Sequence, residues 1–166
     1  MPKASKCAVP PQCRLNPTLH SADFADAYQA ANPQPARSAM AIWLDTVRRT
    51  PAWVERAMDA RNAVVRRLGL KDLGNLSSFE PLKADHDYRV GDRVGIFTVR
   101  HIAVDEVILG DSDKHLDVAL SLLKMDDGAR VVVSTVVHVH NRLGHAYMAL
   151  VKPMHRLIAP AVLSRI

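Results

Sequence analysis

The chain has 166 residues, a net charge of +5 and a pI of about 9.5. This length suffices for one domain that buries roughly two-thirds of its unfolded surface, so neither a cofactor nor a disulfide is needed for folding. No apolar run approaches the roughly 18 residues of a membrane span, and the first residues lack the apolar centre of a signal peptide, so we expect a soluble, cytoplasmic protein.

The proline-rich leader, residues 1–18, shows no periodicity, which predicts a flexible tail before a single domain over residues 19–166. Its two cysteines, Cys7 and Cys13, lie in no CxxC motif and near no zinc-finger histidines, so neither a disulfide nor a metal site is predicted there. Basic residues are spread along the chain and aromatic residues make up 5% of it. These features indicate a solvated basic surface and argue against a nucleic-acid groove.

Residues 20–32 fit two kinds of secondary structure. Phe24, Ala27 and Tyr28 have helical spacing, whereas Phe24, Asp26 and Tyr28 alternate as in a strand. Periodicity alone leaves both alternatives open.

Two helices are predicted after a break at residues 32–35. The first covers residues 40–49 and is short and amphipathic. The second begins at Thr50-Pro51, where the hydroxyl can cap the helix and proline suits the first helical position, and it ends before Gly69. The apolar residues at helical spacing predict its buried stripe, namely Trp53, Ala57, Ala60, Val64 and Leu68.

The second half of the chain is predicted to form an antiparallel sheet. A short strand is expected at residues 76–80, within a turn-rich stretch. Residues 94–101 and 104–109 then form a hairpin, and residues 110–113 form the turn that leads into the central hairpin.

Asp127-Gly128 is predicted to be the two-residue type I′ turn of this central hairpin, because glycine takes positive φ without steric cost. The turn sets a register in which Leu122 faces Val133. An apolar ladder then lies on one face of the hairpin, and that face is expected to be the buried one.

The opposite face of the hairpin is predicted to carry His115, Asp117, His138 and His140. Imidazole and carboxylate groups could together hold Zn²⁺ or another transition metal. A flat exposed sheet face, however, lacks the surrounding groups that orient metal ligands. We therefore predict that these side chains point away from the terminal helix, pair across strands and bind no metal.

A long terminal helix is predicted from residue 143, because apolar residues recur there at helical spacing. Pro153 and Pro160 each remove a helical hydrogen bond, so a kink or short break is expected near each. The helix must lie across the sheet to bury its apolar stripe.

Several stretches carry a resemblance to a known family, namely residues 22–26, residues 51–54 with Arg61-Asn62, and residues 113–117, 135–137, 143–147 and 153–158. On these stretches and on the order of elements, the chain from about residue 23 onward resembles an uncharacterised bacterial branch of the START-like (SRPBCC) superfamily, a domain of unknown function. The resemblance implies an α+β helix-grip fold, with a curved antiparallel sheet around a long C-terminal helix and two short helices after the first strand. It also implies that residues 20–32 contain that first strand.

Many relatives have a cavity between sheet and helix, and the break expected at Pro153 predicts a mostly apolar pocket there. Its predicted ligand-binding residues are Leu116, Leu120, Val133, Thr135, Val137, Tyr147, Val151, Met154 and His155. The expected function is to bind a small apolar molecule without a cofactor. The alternatives are a cyclase- or hydratase-like enzyme using the same cavity, and a packed domain that acts through its surface.

Overall fold

The computed structural model describes residues 3–67 and 83–166, which form a sheet and helices of the predicted α+β class. Its strands in chain order are β1 (Ser5–Cys7), β2 (Phe24–Ala31), β3 (Arg93–Val94), β4 (Phe97–Ile102), β5 (Glu106–Ser112), β6 (Leu116–Met125) and β7 (Arg130–Val139). Its α-helices are α1 (Ala39–Arg48), α2 (Ala52–Arg67) and α3 (Arg142–Leu163).

The seven strands of the described residues form one curved antiparallel sheet in the order β1-β2-β7-β6-β5-β4-β3. This sheet and the long C-terminal helix are compatible with a helix-grip fold. None of the helices in the described ranges is long and apolar enough to cross a membrane. The strand predicted at residues 76–80 lies outside the described residues.

The ambiguous segment near the N-terminus is a strand, as the resemblance implied. Phe24 of β2 pairs with Val137 of β7, and Ala31 pairs with Arg130. Pairing with the long central strand decides between two patterns that local spacing cannot separate, since a helix would leave the edge of β7 without a partner.

The predicted register of the central hairpin is confirmed, with Leu122 facing Val133. Asp127 and Gly128 have φ values of 54° and 87°, as a type I′ turn requires. The backbone N–H of Ala129 donates to the carbonyl of Asp126 at 3.0 Å and closes the turn. Asp126 also has positive φ and Ala129 is helical, so the ladder ends at Met125 and Arg130 and the loop has four residues instead of the predicted two.

The turn before the central hairpin lies further along the chain than predicted. Strand β5 continues through Ser112, and the chain turns at residues 113–115. Gly110 thus lies inside β5 and not in a turn. The Arg100 side chain crosses Gly110 so closely that a Cβ there would overlap the guanidinium. The Arg100 side chain continues to Asp117, 2.8 Å away.

The buried side of α2 differs from the predicted one. Trp53 and Val64 are 46% and 41% exposed, whereas Val54 and Val65 are fully buried. The buried stripe also contains the polar residue Asn62, so the spacing of apolar residues alone does not predict this stripe. Both the predicted stripe and the observed one have helical spacing. Packing against the rest of the domain buries the observed stripe, which periodicity alone did not identify.

The sheet buries apolar side chains on both faces. On the outer face, Ile108, Leu123 and Val136 are covered by Cys13 and Leu15 from the leader. The leader was predicted to be a flexible tail outside the core. Its described residues instead pack on the sheet and contribute β1. The outward apolar residues of β5, β6 and β7 supply the reason, because they would otherwise face water.

Helix α3 is uninterrupted across Pro153 and Pro160, so the expected break is not present. Each proline leaves one carbonyl four residues earlier without its helical donor. These carbonyls belong to Ala149 and Arg156, and both residues are exposed. Water can therefore hydrate them, and the helix tolerates both prolines.

Candidate functional site

A cavity of about 220 Å³ lies between the inner face of the sheet and α3. The fully buried residues of α3 are near its two ends, with Gly144 and Met148 at one and Val162 and Leu163 at the other. None of residues 149–161 is fully buried. Helix α3 is thus buried most deeply near its two ends, and its less buried middle lies over the cavity, which Met148, Val162 and Leu163 also line.

The nine predicted ligand-binding residues all line this cavity: Leu116, Leu120, Val133, Thr135, Val137, Tyr147, Val151, Met154 and His155. They come from β6, β7 and α3, which the central register and the helical spacing brought together. The predicted cause of the cavity, a break of the helix at Pro153, is wrong, because the cavity lies under an unbroken helix. Whether these residues bind a ligand stays a prediction.

Helices α1 and α2 close the cavity with residues that sequence reasoning missed. Trp43 and Val47 line it from α1, and Met58, Arg61 and Val65 line it from α2. Met58, Arg61 and Val65 lie at helical spacing, so this pattern could have been found by allowing a polar residue in the stripe. Tertiary packing decides on which side of the sheet these helices lie, and the spacing of apolar residues does not predict it.

His155 lines the cavity and forms a pair with Asp26 of β2. His155 Nε2 lies 3.0 Å from Oδ1 of Asp26, whose side chain is 4% exposed. Phe24 packs edge-on against the imidazole, with the ring centroids 5.6 Å apart. When Nε2 donates its proton to Asp26, Nδ1 is left with a free lone pair. The pair can therefore hold His155 in one orientation and one tautomer, which suits either ligand binding or proton transfer.

Arg61 and Tyr147 form a second polar group, between α2 and α3. Arg61 Nε donates to the Tyr147 hydroxyl at 2.8 Å, and Nη2 donates to the same oxygen. Nη1 donates to Oδ1 of Asn62 at 2.7 Å. The guanidinium carbon also lies 5.3 Å from the centroid of the Tyr147 ring. These contacts place a permanent positive charge in a wall that is otherwise mostly apolar.

The predicted cluster of His115, Asp117, His138 and His140 is divided by the structure. Asp117 and His138 face each other on the outer side, and His138 Nε2 lies 3.2 Å from the hydroxyl of Ser21, which follows the leader. His115, in contrast, is 9% exposed and lines the cavity. It precedes the first residue of β6, so strand alternation does not apply to it.

His115 instead supports the start of α3. Its Nδ1 lies 3.2 Å from Oδ1 of Asn141, and that oxygen accepts the backbone N–H of Gly144 as the helix cap. Within residues 3–67 and 83–166, no three His, Cys, Asp or Glu side chains come together as a possible metal site.

Shifted pKa values are found in the sheet for Tyr28, beside Asp26, and for Asp117, on the outer face. Burial, and then the charge of Asp26, raise the pKa of Tyr28 on β2. On the outer face, burial opposes ionisation of Asp117, but hydrogen bonds from Ser112 and Arg100 outweigh it and lower the pKa of this carboxyl. The outer group is therefore a stable ion pair with Arg100, which leaves it poorly suited to accept a proton.

Comparison with known proteins identifies the family but no function. No curated protein and no solved structure matches the chain. A family described as "Protein of unknown function (DUF2867)" matches residues 18–162, a range that includes the strands of the cavity wall, α1, α2 and all of α3 except its last residue. Because this match covers most of the chain, the protein belongs to the DUF2867 family.

Proposed function

We propose that the protein binds a small, mostly apolar molecule in the cavity between the inner face of the sheet and α3. The observation that carries this proposal is the way α3 is packed. A helix that only filled a core would bury its middle, whereas α3 has its fully buried residues near its ends and spans about 220 Å³ of space.

The cavity's size and lining indicate the kind of ligand. Ligand sites typically measure about 300–1,000 Å³, so about 220 Å³ favours a small molecule over a full-length lipid. Aliphatic side chains from the sheet, such as Leu120 and Val133, form most of the inner wall, with Thr135 between them. A few polar groups in an apolar lining are typical of sites that orient an apolar ligand.

The resemblance to the START-like superfamily supports the same function, because many of its members have a cavity between sheet and terminal helix. Apolar burial supplies about 25 cal/mol per Å², so a ligand burying about 200 Å² would gain about 5 kcal/mol. On the affinity scale this gross gain lies between Kd values of about 1 mM and 1 μM, before polar contacts are added and the entropy cost of association is subtracted.

A pair of neighbouring variants on α3 tests the proposal. Val151 lines the cavity, whereas Leu150 is 49% exposed and does not. Val151→Trp fills the cavity from the helix side, and Leu150→Trp adds the same ring outside it. Binding of the neutral fluorescent probe phenylnaphthylamine is measured for wild type and both variants.

We expect the probe to bind wild type and Leu150→Trp alike, and Val151→Trp at least about tenfold more weakly. Circular dichroism shows whether both variants remain folded. A wild-type protein that binds no probe, or a folded Val151→Trp variant that binds as well as wild type, would overturn the cavity as a binding site. The domain would then be assigned to surface interactions.

The His155–Asp26 pair favours a second candidate, an enzyme that uses the same cavity for proton transfer. A histidine oriented by a buried carboxylate is a common general base, and His155 is a cavity residue with Asp26 at 3.0 Å. A cyclase- or hydratase-like reaction needs such a group to move a proton on an otherwise apolar substrate.

Native mass spectrometry of protein purified from its own host separates the two candidates. The released ligand is incubated with fresh wild-type protein and with His155→Gln. Conversion by wild type alone, with binding retained in the variant, supports the enzyme. Recovery of unchanged ligand from both supports the binding protein.

A further inference from the structure

Arg61 is the one arginine or lysine among the described residues of the cavity wall, and its position is fixed by its neighbours. Met58 and Val65, about one turn before and after it on α2, are apolar lining residues. The hydrogen bonds to Tyr147 and Asn62 and the contact with the Tyr147 ring hold the guanidinium in place. Such a group is pre-organised, so little side-chain entropy is lost when it binds a further partner.

No carboxylate in the described residues forms an ion pair with Arg61. The acidic lining residues, Asp111 and Asp113, have other partners. Asp113 Oδ1 accepts the backbone N–H groups of His115 and Leu116 at 2.7 and 3.0 Å. Asp111 lies 3.9 Å from Nη1 of Arg93. The partners of Arg61 are the neutral oxygens of Tyr147 and Asn62, which solvate its charge but do not neutralise it.

A half-buried guanidinium without a counter-charge is unfavourable in an apolar wall, because arginine remains protonated and cannot escape the cost by losing its proton. An anion from the ligand would remove this cost. Five N–H donors are available on a guanidinium, and the contacts with Tyr147 and Asn62 leave donors for a further acceptor. The Tyr147 hydroxyl accepts from Arg61, so its own proton is also available to an acceptor.

We propose that the ligand is an amphiphilic monocarboxylate whose carboxylate is held by Arg61 and Tyr147, an assignment that rests on the binding function proposed above. One guanidinium neutralises one negative charge, and its planar fork matches a carboxylate. The apolar body of the ligand lies along the Leu120 and Val133 wall. Tyr147 and His155 are eight residues apart on α3, a distance of about 12 Å along the helix axis. The head group and the His155–Asp26 pair therefore contact different parts of one ligand.

Decanoate and decanol test this assignment because they share a chain and differ in the head group. Each is titrated as a competitor of phenylnaphthylamine at neutral pH, where the acid is ionised. We expect decanoate to bind wild type at least about tenfold more tightly than decanol, equivalent to about 1.4 kcal/mol. The ratio of the two affinities is the measured quantity, so a general loss of stability does not imitate the effect.

Three variants locate the preference. Arg61→Met removes the charge and is expected to abolish the decanoate preference while leaving decanol affinity within about twofold of wild type. Tyr147→Phe removes one hydroxyl and is expected to reduce the preference several-fold. Arg56→Met, at an exposed position of the same helix, is expected to change neither ligand.

The outcomes separate this assignment from the binding function itself. Equal binding of decanol and decanoate by wild type, or an unchanged preference in Arg61→Met that still binds decanol, would overturn the carboxylate assignment and leave the apolar cavity in place. Failure of wild type to bind the probe or either ligand would overturn both. If Arg61→Met does not fold, Tyr147→Phe and Arg61→Lys, which retains charge but loses the fork, decide on the same ratio.

Discussion

At Gly144, α3 lies close to the backbone just before β6, and Gly144→Ala tests how the helix is held over the cavity. A Cβ at this position would overlap the carbonyl oxygen of His115 and lie 2.7 Å from Cγ1 of Val139. The carbonyl oxygen belongs to the backbone, so it cannot move aside as the tip of a long side chain would. The substitution must push the beginning of α3 away from the sheet.

The expected free-energy change is the difference between two effects. Replacing glycine by alanine in an open helix raises stability by about 1 kcal/mol, whereas overpacking at a rigid site costs about 1–3 kcal/mol. A backbone overlap belongs to the upper part of that range, so we expect a net loss of about 1–2 kcal/mol. For a chain of this size, 1 kcal/mol lowers Tm by about 2–4 °C.

Urea and thermal unfolding followed by circular dichroism measure this loss. Ala146→Gly, at an exposed position of the same helix, is the control and should cost about 1 kcal/mol through helix propensity alone. If Gly144→Ala were as stable as wild type or more stable, α3 would not be held at this distance, and the description of a helix packed at its ends would be wrong.

Three further predictions concern the turn, the leader and acid stability. Gly128→Val should cost more than about 1 kcal/mol, because φ is +87° and a Cβ would lie 2.6 Å from the Pro35 carbonyl oxygen; Gly91→Val, with φ of +97° and open space, should cost less in the same urea titration, and equal costs would refute the contact. Glu106→Leu should speed proteolysis of the leader, because it removes the buried oxygen that accepts the backbone N–H of Arg14 at 3.0 Å and the Ser121 hydroxyl at 2.7 Å; unchanged cleavage would contradict this anchor. A hydrogen bond from Ser38 lowers the pKa of Asp85, so the stability it contributes is present above the pKa of the unfolded chain and is lost as pH falls below about 4; wild type should therefore lose more stability than Asp85→Asn on acidification, and parallel pH profiles would count against it.

The elements that sequence alone predicted well are those with short-range determinants. The Asp127-Gly128 turn and strand alternation both report the register of β6 and β7, and their agreement placed Leu120, Val133 and Val137 on one face. Helical spacing placed Tyr147 and Met154 on the helix that covers them. Nine cavity-lining residues followed from these two local rules.

The features that sequence did not predict depend on long-range packing. Two stripes on α2 had helical spacing, and only contact with the domain decides that Val54 and Val65 are buried and that Trp53 is exposed. The same orientation of α2 places Arg61 in the cavity wall. The leader has no periodicity, yet Cys13 is 1% exposed because the outer face of the sheet needs cover. Its burial depends on a surface more than 90 residues further along the chain, around Ile108 and Leu123.

The measurement that tests the binding cavity most directly is a methyl NMR titration of the full-length protein with decanol. Leu120, Val133 and Val137 carry methyl groups on the inner face, and Ile108, Leu123 and Val136 carry methyl groups on the outer face of the same sheet. We predict saturable shifts of the inner methyl signals with little change in the outer ones. Absence of saturable shifts, or equal shifts on both faces, would contradict a ligand site between the sheet and α3.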